Sequence, residues 1–76
     1  MINIVLFNGL DLDKKTIAYF NSPVVPPINS VIRVAENTER PMVCLVLNHE
    51  YEVLGYKVRT IYLSVEIFEE GEYKNE

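Results

Sequence analysis

The stretch HEYEV, residues 49–53, contains the chain's one histidine followed by two glutamates, which raises the question of a zinc site. A zinc-protease motif needs a second histidine four residues after the first, on a helix, so that both rings face one metal ion. Position 53 is Val53, and the surrounding residues have the composition of a strand. The sequence therefore predicts no metal site at this stretch.

The one cysteine, Cys44, precedes His49 by five residues, a pair that could in principle act as nucleophile and base. On a continuous strand an odd separation places two side chains on opposite faces, unless a bulge or bend intervenes. Cys44 lies between Val43 and Leu45, so we predict a small buried hydrophobe. We predict that His49 is a turn or surface residue, and that the chain is not an enzyme and has no catalytic residues.

Two aspartates, Asp11 and Asp13, follow Asn8-Gly9 but lack the central glycine and terminal glutamate of a calcium loop. A solvated loop is the simpler interpretation. The three glycines are isolated from one another, so none belongs to a glycine-rich phosphate cradle. We predict no cofactor.

Aromatic and basic residues are interleaved in the second half of the chain, a pattern that single-stranded nucleic acids can exploit by stacking and charge. The residues are Tyr51, Tyr56, Lys57, Arg59 and Tyr62. A larger basic patch, which would displace counterions from phosphates, is not evident. The sequence therefore disfavours binding of RNA or single-stranded DNA, which stays an alternative function.

The net charge of −4 is concentrated at one end of the chain. Residues 1–65 carry six acidic and six basic side chains, whereas residues 66–76 carry five glutamates and one lysine. A mimic of DNA would need acidic residues across the whole body, and residues 1–65 are neutral overall.

We predict a single barrel domain over residues 1–68 and a frayed, solvated acidic tail over residues 69–76.

A chain of 76 residues has room for one domain, and a single cysteine suits a reducing compartment. The start of the chain has no basic region before an apolar run, as a secretory signal would, and no apolar run is long enough for a membrane helix. We expect a soluble, cytoplasmic protein with no membrane partner.

Alternation of apolar and polar residues predicts strands and almost no helix. The expected strands begin at Ile2, Thr16, Val31, Pro41 and Lys57. Residues 48–56 are ambiguous between strand and loop, and residues 36–40 form a polar turn. Five short strands with turns between them predict an all-β fold, a small five-stranded SH3-like barrel.

Three prolines stiffen the loop NSPVVPPINS, residues 21–30, before the third strand. Proline fixes φ and drives the preceding residue to extended geometry, so residues 22–27 should be extended, with Asn29 accepting a positive φ. The stretch PVVPPINSVIRV resembles the proline-rich segment before a Val/Ile strand in small SH3-like barrel proteins of bacteria and phages. In that pattern, Asn29 stands where glycine is usual and Ser30 where an acidic residue is usual. The resemblance implies the barrel fold and implies no function.

The loop supplies the predicted partner-binding residues, Val24, Val25, Pro26 and Pro27. Two adjacent β-branched residues in an extended segment cannot both face the core, so at least one should be exposed. We expect a non-enzymatic protein–protein interaction module, consistent with a phage-encoded inhibitor of a host or defence protein. A structural subunit of a larger particle is the alternative from another class.

The fourth strand is apolar on both faces, which predicts that something covers the second face. We expect a homodimer with Met42, Cys44 and Val46 at the centre of its interface, because a two-fold partner would bury the same patch on both copies.

Overall fold

The computed structural model describes residues 1–10, 12–35 and 42–69, with Glu69 described by its backbone alone. Within these ranges the chain forms strands, turns and loops, and no helix. The strands are β1 (Ile2–Asn8), β2 (Thr16–Ser22), β3 (Val31–Val34), β4 (Met42–Leu54) and β5 (Lys57–Glu69). The all-β prediction is confirmed, and β1, β2, β3 and β5 begin at their expected residues, while the expected start of β4, Pro41, lies outside the described residues.

The five strands form one sheet in the order β2-β1-β5-β4-β3. Neighbouring strands are antiparallel except for the central pair, β1 and β5, which run parallel with Ile4 opposite Ile61 and Leu6 opposite Leu63. The sheet curls into a half barrel, an architecture consistent with a small SH3-like barrel. Its two edge strands, β2 and β3, together line an open groove of about 320 Å³.

The concave face of the sheet holds the core, because alternate residues of β1, β4 and β5 point to the same side. The fully buried side chains are Ile4, Leu6, Cys44, Val46, Leu63 and Val65. Burying an aliphatic side chain of this size contributes about 1.5–3 kcal/mol each. Half-buried residues of β2, β3 and the proline loop, such as Phe20, Ile32 and Val25, pack against this cluster.

Two irregularities shape the long hairpin of β4 and β5. The register shifts between Val46 and Asn48, which leaves Leu47 without a partner across the sheet, and again between Glu52 and Val53, opposite Arg59. Such bulges rotate the side chains that follow relative to those before them. The first bulge therefore decides which side chains of β4 face the core beyond Val46.

The close approach of β1 to β5 requires glycine at position 9. The Gly9 amide donates to the Val65 carbonyl over 2.9 Å, directly after β1. A Cβ at this position would overlap the Ser64 hydroxyl. No larger residue fits unless Ser64 moves.

The predicted self-association residues lie in different environments. Cys44 and Val46 are fully buried in the chain's own core, whereas Met42 is 36% exposed. The curl of the sheet makes their face the concave one, which β2, β3 and the proline loop cover. A partner copy can therefore reach Met42 but not the other two, while the homodimer itself stays a prediction.

The sequence also makes predictions for residues 48–56, for residues 36–40 and for the acidic tail. Residues 48–54 continue β4 rather than forming a loop, which resolves the ambiguous stretch. The polar turn at residues 36–40 lies outside the described residues, as does the acidic tail beyond Glu69.

Candidate functional site

The residues that raised the question of catalysis do not form a reactive pair. The bulge after Val46 does turn His49 to the face that holds Cys44, but Val46 lies between them along the strand. Cys44 is fully buried, and desolvation raises the pKa of its thiol, which disfavours the nucleophilic thiolate. Within the described ranges, no three histidine, cysteine or acidic side chains are grouped to hold a metal ion.

The proline loop is a fixed structure held at both ends by serine hydroxyls. The Ser22 hydroxyl donates to the Val24 carbonyl over 2.6 Å and accepts from the Val24 amide over 3.2 Å. The Ser30 hydroxyl donates to the Pro27 carbonyl over 2.6 Å. These short-range bonds replace the strand ladder that proline cannot join.

The end of the loop is bonded to β4. Asn29 adopts the expected positive φ, at 74°, and its amide donates to the Val46 carbonyl over 2.8 Å. The Val46 amide in turn donates to the Ser30 carbonyl over 2.9 Å. The loop thus continues the edge pairing of β3 along β4.

The four predicted partner-binding residues divide between two sides of the loop. Val24 and Pro27 are exposed, Val24 by 66%, whereas Val25 and Pro26 are half-buried. Val25 packs against the core cluster. Of the four, Val24 and Pro27 are therefore the exposed residues that a partner could contact.

His49 connects the loop to the distal part of the β4–β5 hairpin. Its Nε2 lies 2.7 Å from the Pro26 carbonyl oxygen, which can only accept, so the ring nitrogen donates. The same ring meets Tyr51 edge to face, with centroids 6.3 Å apart. Sequence reasoning placed His49 at the surface because the bulge that turns it inward has no signature of its own.

Beyond His49, the two strands continue as a two-stranded ribbon, residues 50–60, which we call the arm. In the described chain, β1 pairs with β5 only from Ile61 onward, and β3 pairs with β4 only up to Leu45. None of residues 50–60 is buried. A two-stranded hairpin is marginally stable alone in water, so this segment depends on the body or on a partner.

The apolar stripe of the core continues onto one face of the arm. Tyr51 lies opposite the buried Ile61, and Val53 lies opposite Val58, so these side chains share the concave face. The exposed fractions of Tyr51, Val53 and Val58 are 55%, 61% and 52%. The arm therefore presents large apolar side chains that the chain itself leaves uncovered.

The tip of the arm combines backbone strain with a large exposed side chain. Gly55 and Tyr56 have φ values of 59° and 68°, as in a type I′ turn, which favours asparagine or glycine at both central positions. Tyr56 is fully exposed. A tyrosine at this positive φ destabilises the fold by about 1–2 kcal/mol. Because its side chain is fully exposed, packing does not offset this cost. The side chain therefore serves another purpose.

The charges of the arm cancel. Glu50 and Glu52 lie on β4, and Lys57 and Arg59 on β5. The Arg59 Nε lies 3.7 Å from the Glu52 Oε1, in an exposed ion pair that adds little stability. Asn3 Nδ2 donates to the Arg59 carbonyl over 3.2 Å, and this bond ties the base of the arm to β1.

The aromatic and basic set considered for nucleic-acid binding is mostly brought together. Tyr51, Tyr56, Lys57 and Arg59 lie on the arm. Tyr62 lies on the body opposite Glu50, where it lines a cavity of about 190 Å³. The two glutamates of the arm offset its two cations, so the arm is not a basic surface.

Comparisons with protein-family models, curated proteins and solved structures found no match to this chain. No helix in the described part of the chain is long and apolar enough to cross a membrane.

Proposed function

We propose that this chain is a non-enzymatic protein-binding module and that the arm carries its contact surface. The observation that carries the proposal is Tyr56, a fully exposed aromatic residue held at positive φ at the tip of the arm. Large amphipathic side chains at little entropic cost are the anchors of many protein interfaces. Tyr51, Val53 and Val58 extend this surface toward the body.

The proline loop is a second part of the proposed surface. The bond from His49 to the Pro26 carbonyl fixes the loop beside the base of the arm. The exposed Val24 and Pro27 belong to the same loop, and hydrogen bonds to Ser22 and Ser30 fix their backbone. A preformed loop of this kind loses little entropy on binding.

Site-specific photo-crosslinking tests this function. A benzophenone amino acid replaces Tyr56 in one variant and Tyr19, an equally aromatic and 81% exposed residue of β2, in the control. We expect a discrete protein to crosslink at position 56 in cells that encode the chain, and not at position 19. Crosslinking of the same proteins at both positions, or of none at position 56, would contradict the proposal.

The same experiment separates the two other functions. The nucleic-acid alternative depends on the arm's tyrosines as stacking platforms and predicts nuclease-sensitive adducts at position 56. A structural subunit of a particle predicts adducts between copies of the chain in a regular ladder of masses. A phage-encoded inhibitor of a host or defence protein predicts one host protein in a fixed ratio.

A further inference from the structure

The outer edge of β4, the side that faces away from β5, has partners along only part of its length. β3 pairs with it from Met42 to Leu45, and Val46 bonds to the proline loop. From Glu50 to Leu54, no strand of the described chain lies along this edge, although β5 pairs with the other side throughout. An unpaired edge presents backbone N–H and C=O groups to any strand that can approach.

The side chains along this edge have a simple alternating pattern. Glu50 and Glu52 project to the convex face, and Tyr51 and Val53 project to the concave face. A strand added here would place its own alternate side chains beside the same two rows. Basic residues would then lie beside the glutamates, and apolar residues beside Tyr51 and Val53.

A second copy of this chain fits the edge poorly. Two-fold antiparallel pairing of β4 with itself, centred on Tyr51, would place Glu50 and Glu52 of one copy opposite Glu52 and Glu50 of the other, and like charges across a ladder are destabilising. The arm's cations, Lys57 and Arg59, lie on β5 and cannot stand across that ladder. The two glutamates thus disfavour self-pairing at this edge by like-charge repulsion and favour pairing with a strand that carries basic side chains.

We propose that the edge of β4 from Glu50 to Leu54 accepts an extended segment of a partner protein in which lysine or arginine alternates with apolar residues. Backbone hydrogen bonds would supply affinity, and the two rows of side chains would supply specificity. The proposal rests on the protein-binding function above and names the class of segment that the arm recognises.

Fluorescence anisotropy with labelled peptides tests the proposal. The probe alternates Lys and Val and is long enough to span residues 50–54. One control peptide alternates Glu and Val, and a second is the probe with alternate backbone nitrogens methylated, which keeps its charge but blocks a ladder. We expect the probe to bind at least about tenfold more tightly than either control.

Charge reversal in the protein provides the matched test. The double variant Glu50→Lys/Glu52→Lys should weaken binding of the Lys–Val probe by about tenfold and strengthen binding of the Glu–Val peptide. Glu50→Gln/Glu52→Gln, a neutral variant, should give an intermediate result if reversal disturbs the fold. Asp13→Lys reverses a single charge in the β1–β2 loop, a change of +2 against +4 for the double variant, and should leave both affinities unchanged.

The outcomes separate this proposal from the function on which it rests. Equal binding of the methylated and unmethylated probes would reduce the interaction to charge attraction and overturn strand addition. Crosslinking between copies through Tyr51 would assign the edge to a second copy and overturn it as well. A discrete protein captured at Tyr56, with no binding of the probe, would overturn strand addition and retain the protein-binding function.

Discussion

Tyr56 lowers the stability of the fold through its positive φ, while its exposed side chain is available for binding. Replacing it with glycine removes the Cβ that makes a positive φ unfavourable, so we expect Tyr56→Gly to raise the free energy of unfolding by about 1 kcal/mol. Urea denaturation measures this change. The same variant should also lose binding to the partner. Because position 56 is then occupied by glycine, the loss is measured with the benzophenone amino acid placed at Val53 instead.

Tyr56→Ala is the matched control, because it removes the aromatic ring and keeps the strained Cβ. It should match wild type in stability and match Tyr56→Gly in lost binding. A stability gain in Tyr56→Ala equal to that in Tyr56→Gly would show that the ring, and not the backbone, is the source of strain.

Cys44 makes stability depend on alkaline pH. Burial raises the pKa of its thiol above the ordinary value of 9.0, so the folded chain keeps a proton that the unfolded chain loses. Ionisation then favours the unfolded state, and the free energy of unfolding falls as pH rises past about 9, by at most about 1.4 kcal/mol per unit.

Urea titrations at several pH values, from about 8 to about 10.5, measure this slope. We expect Cys44→Ala to be less stable than wild type at neutral pH, because it leaves a small cavity, and to show a shallower decline. Parallel declines in the two proteins would show that the alkaline loss of stability does not come from Cys44.

At the scale of elements, the proline loop contains two adjacent valines, Val24 and Val25, that differ in exposure, so the same substitution can be compared at both. Val25 packs against the core, so Val25→Asp should lower the free energy of unfolding by roughly 2–4 kcal/mol through an unpaired buried charge. Val24 is 66% exposed, so Val24→Asp should change the thermal midpoint little and weaken partner binding. Unfolding of both variants would show that the loop serves core packing alone.

The strands were predictable from local pattern, and their arrangement was not. Alternation along Lys57–Glu69 identifies β5 because one of its faces, with Ile61, Leu63 and Val65, lies in the core. Nothing local states that β1 lies beside β5 in parallel, since that pairing joins residues far apart in the chain. The same holds for the bulge after Val46, which reverses the orientation of every later side chain of β4.

The candidate site was predictable only in its composition. Tyr51, Tyr56, Lys57 and Arg59 were identified as a mixed aromatic and basic set, but residues 48–56 read equally well as strand or loop. That ambiguity arises because the arm lacks a buried face to impose a clear alternation. The proline loop was located correctly, yet the inward turn of Val25 depends on contacts with distant strands.

At the scale of the whole molecule, burial limits how self-association can be tested. Val46 is fully buried, so Val46→Glu should unfold the chain rather than separate two copies. Met42 is 36% exposed, and Met42→Glu should remain folded. Light scattering after size exclusion, with circular dichroism as the fold control, reports the mass of each protein.

We expect a dimer in wild type and a smaller mass in Met42→Glu. A monomeric wild-type protein at high concentration would contradict the predicted homodimer. A dimer that survives Met42→Glu would place its interface elsewhere on the surface.

The parallel pairing of the first and last strands has a consequence for how the chain is made. β5 is the central strand of the five described, and it leaves the ribosome after β1, β2, β3 and β4. Until Ile61, Leu63 and Val65 have emerged, β1 and β4 share no neighbour, and their apolar faces stay exposed to solvent or to chaperones. The nascent chain should therefore remain protease-sensitive until β5 has emerged, then fold in a single late step.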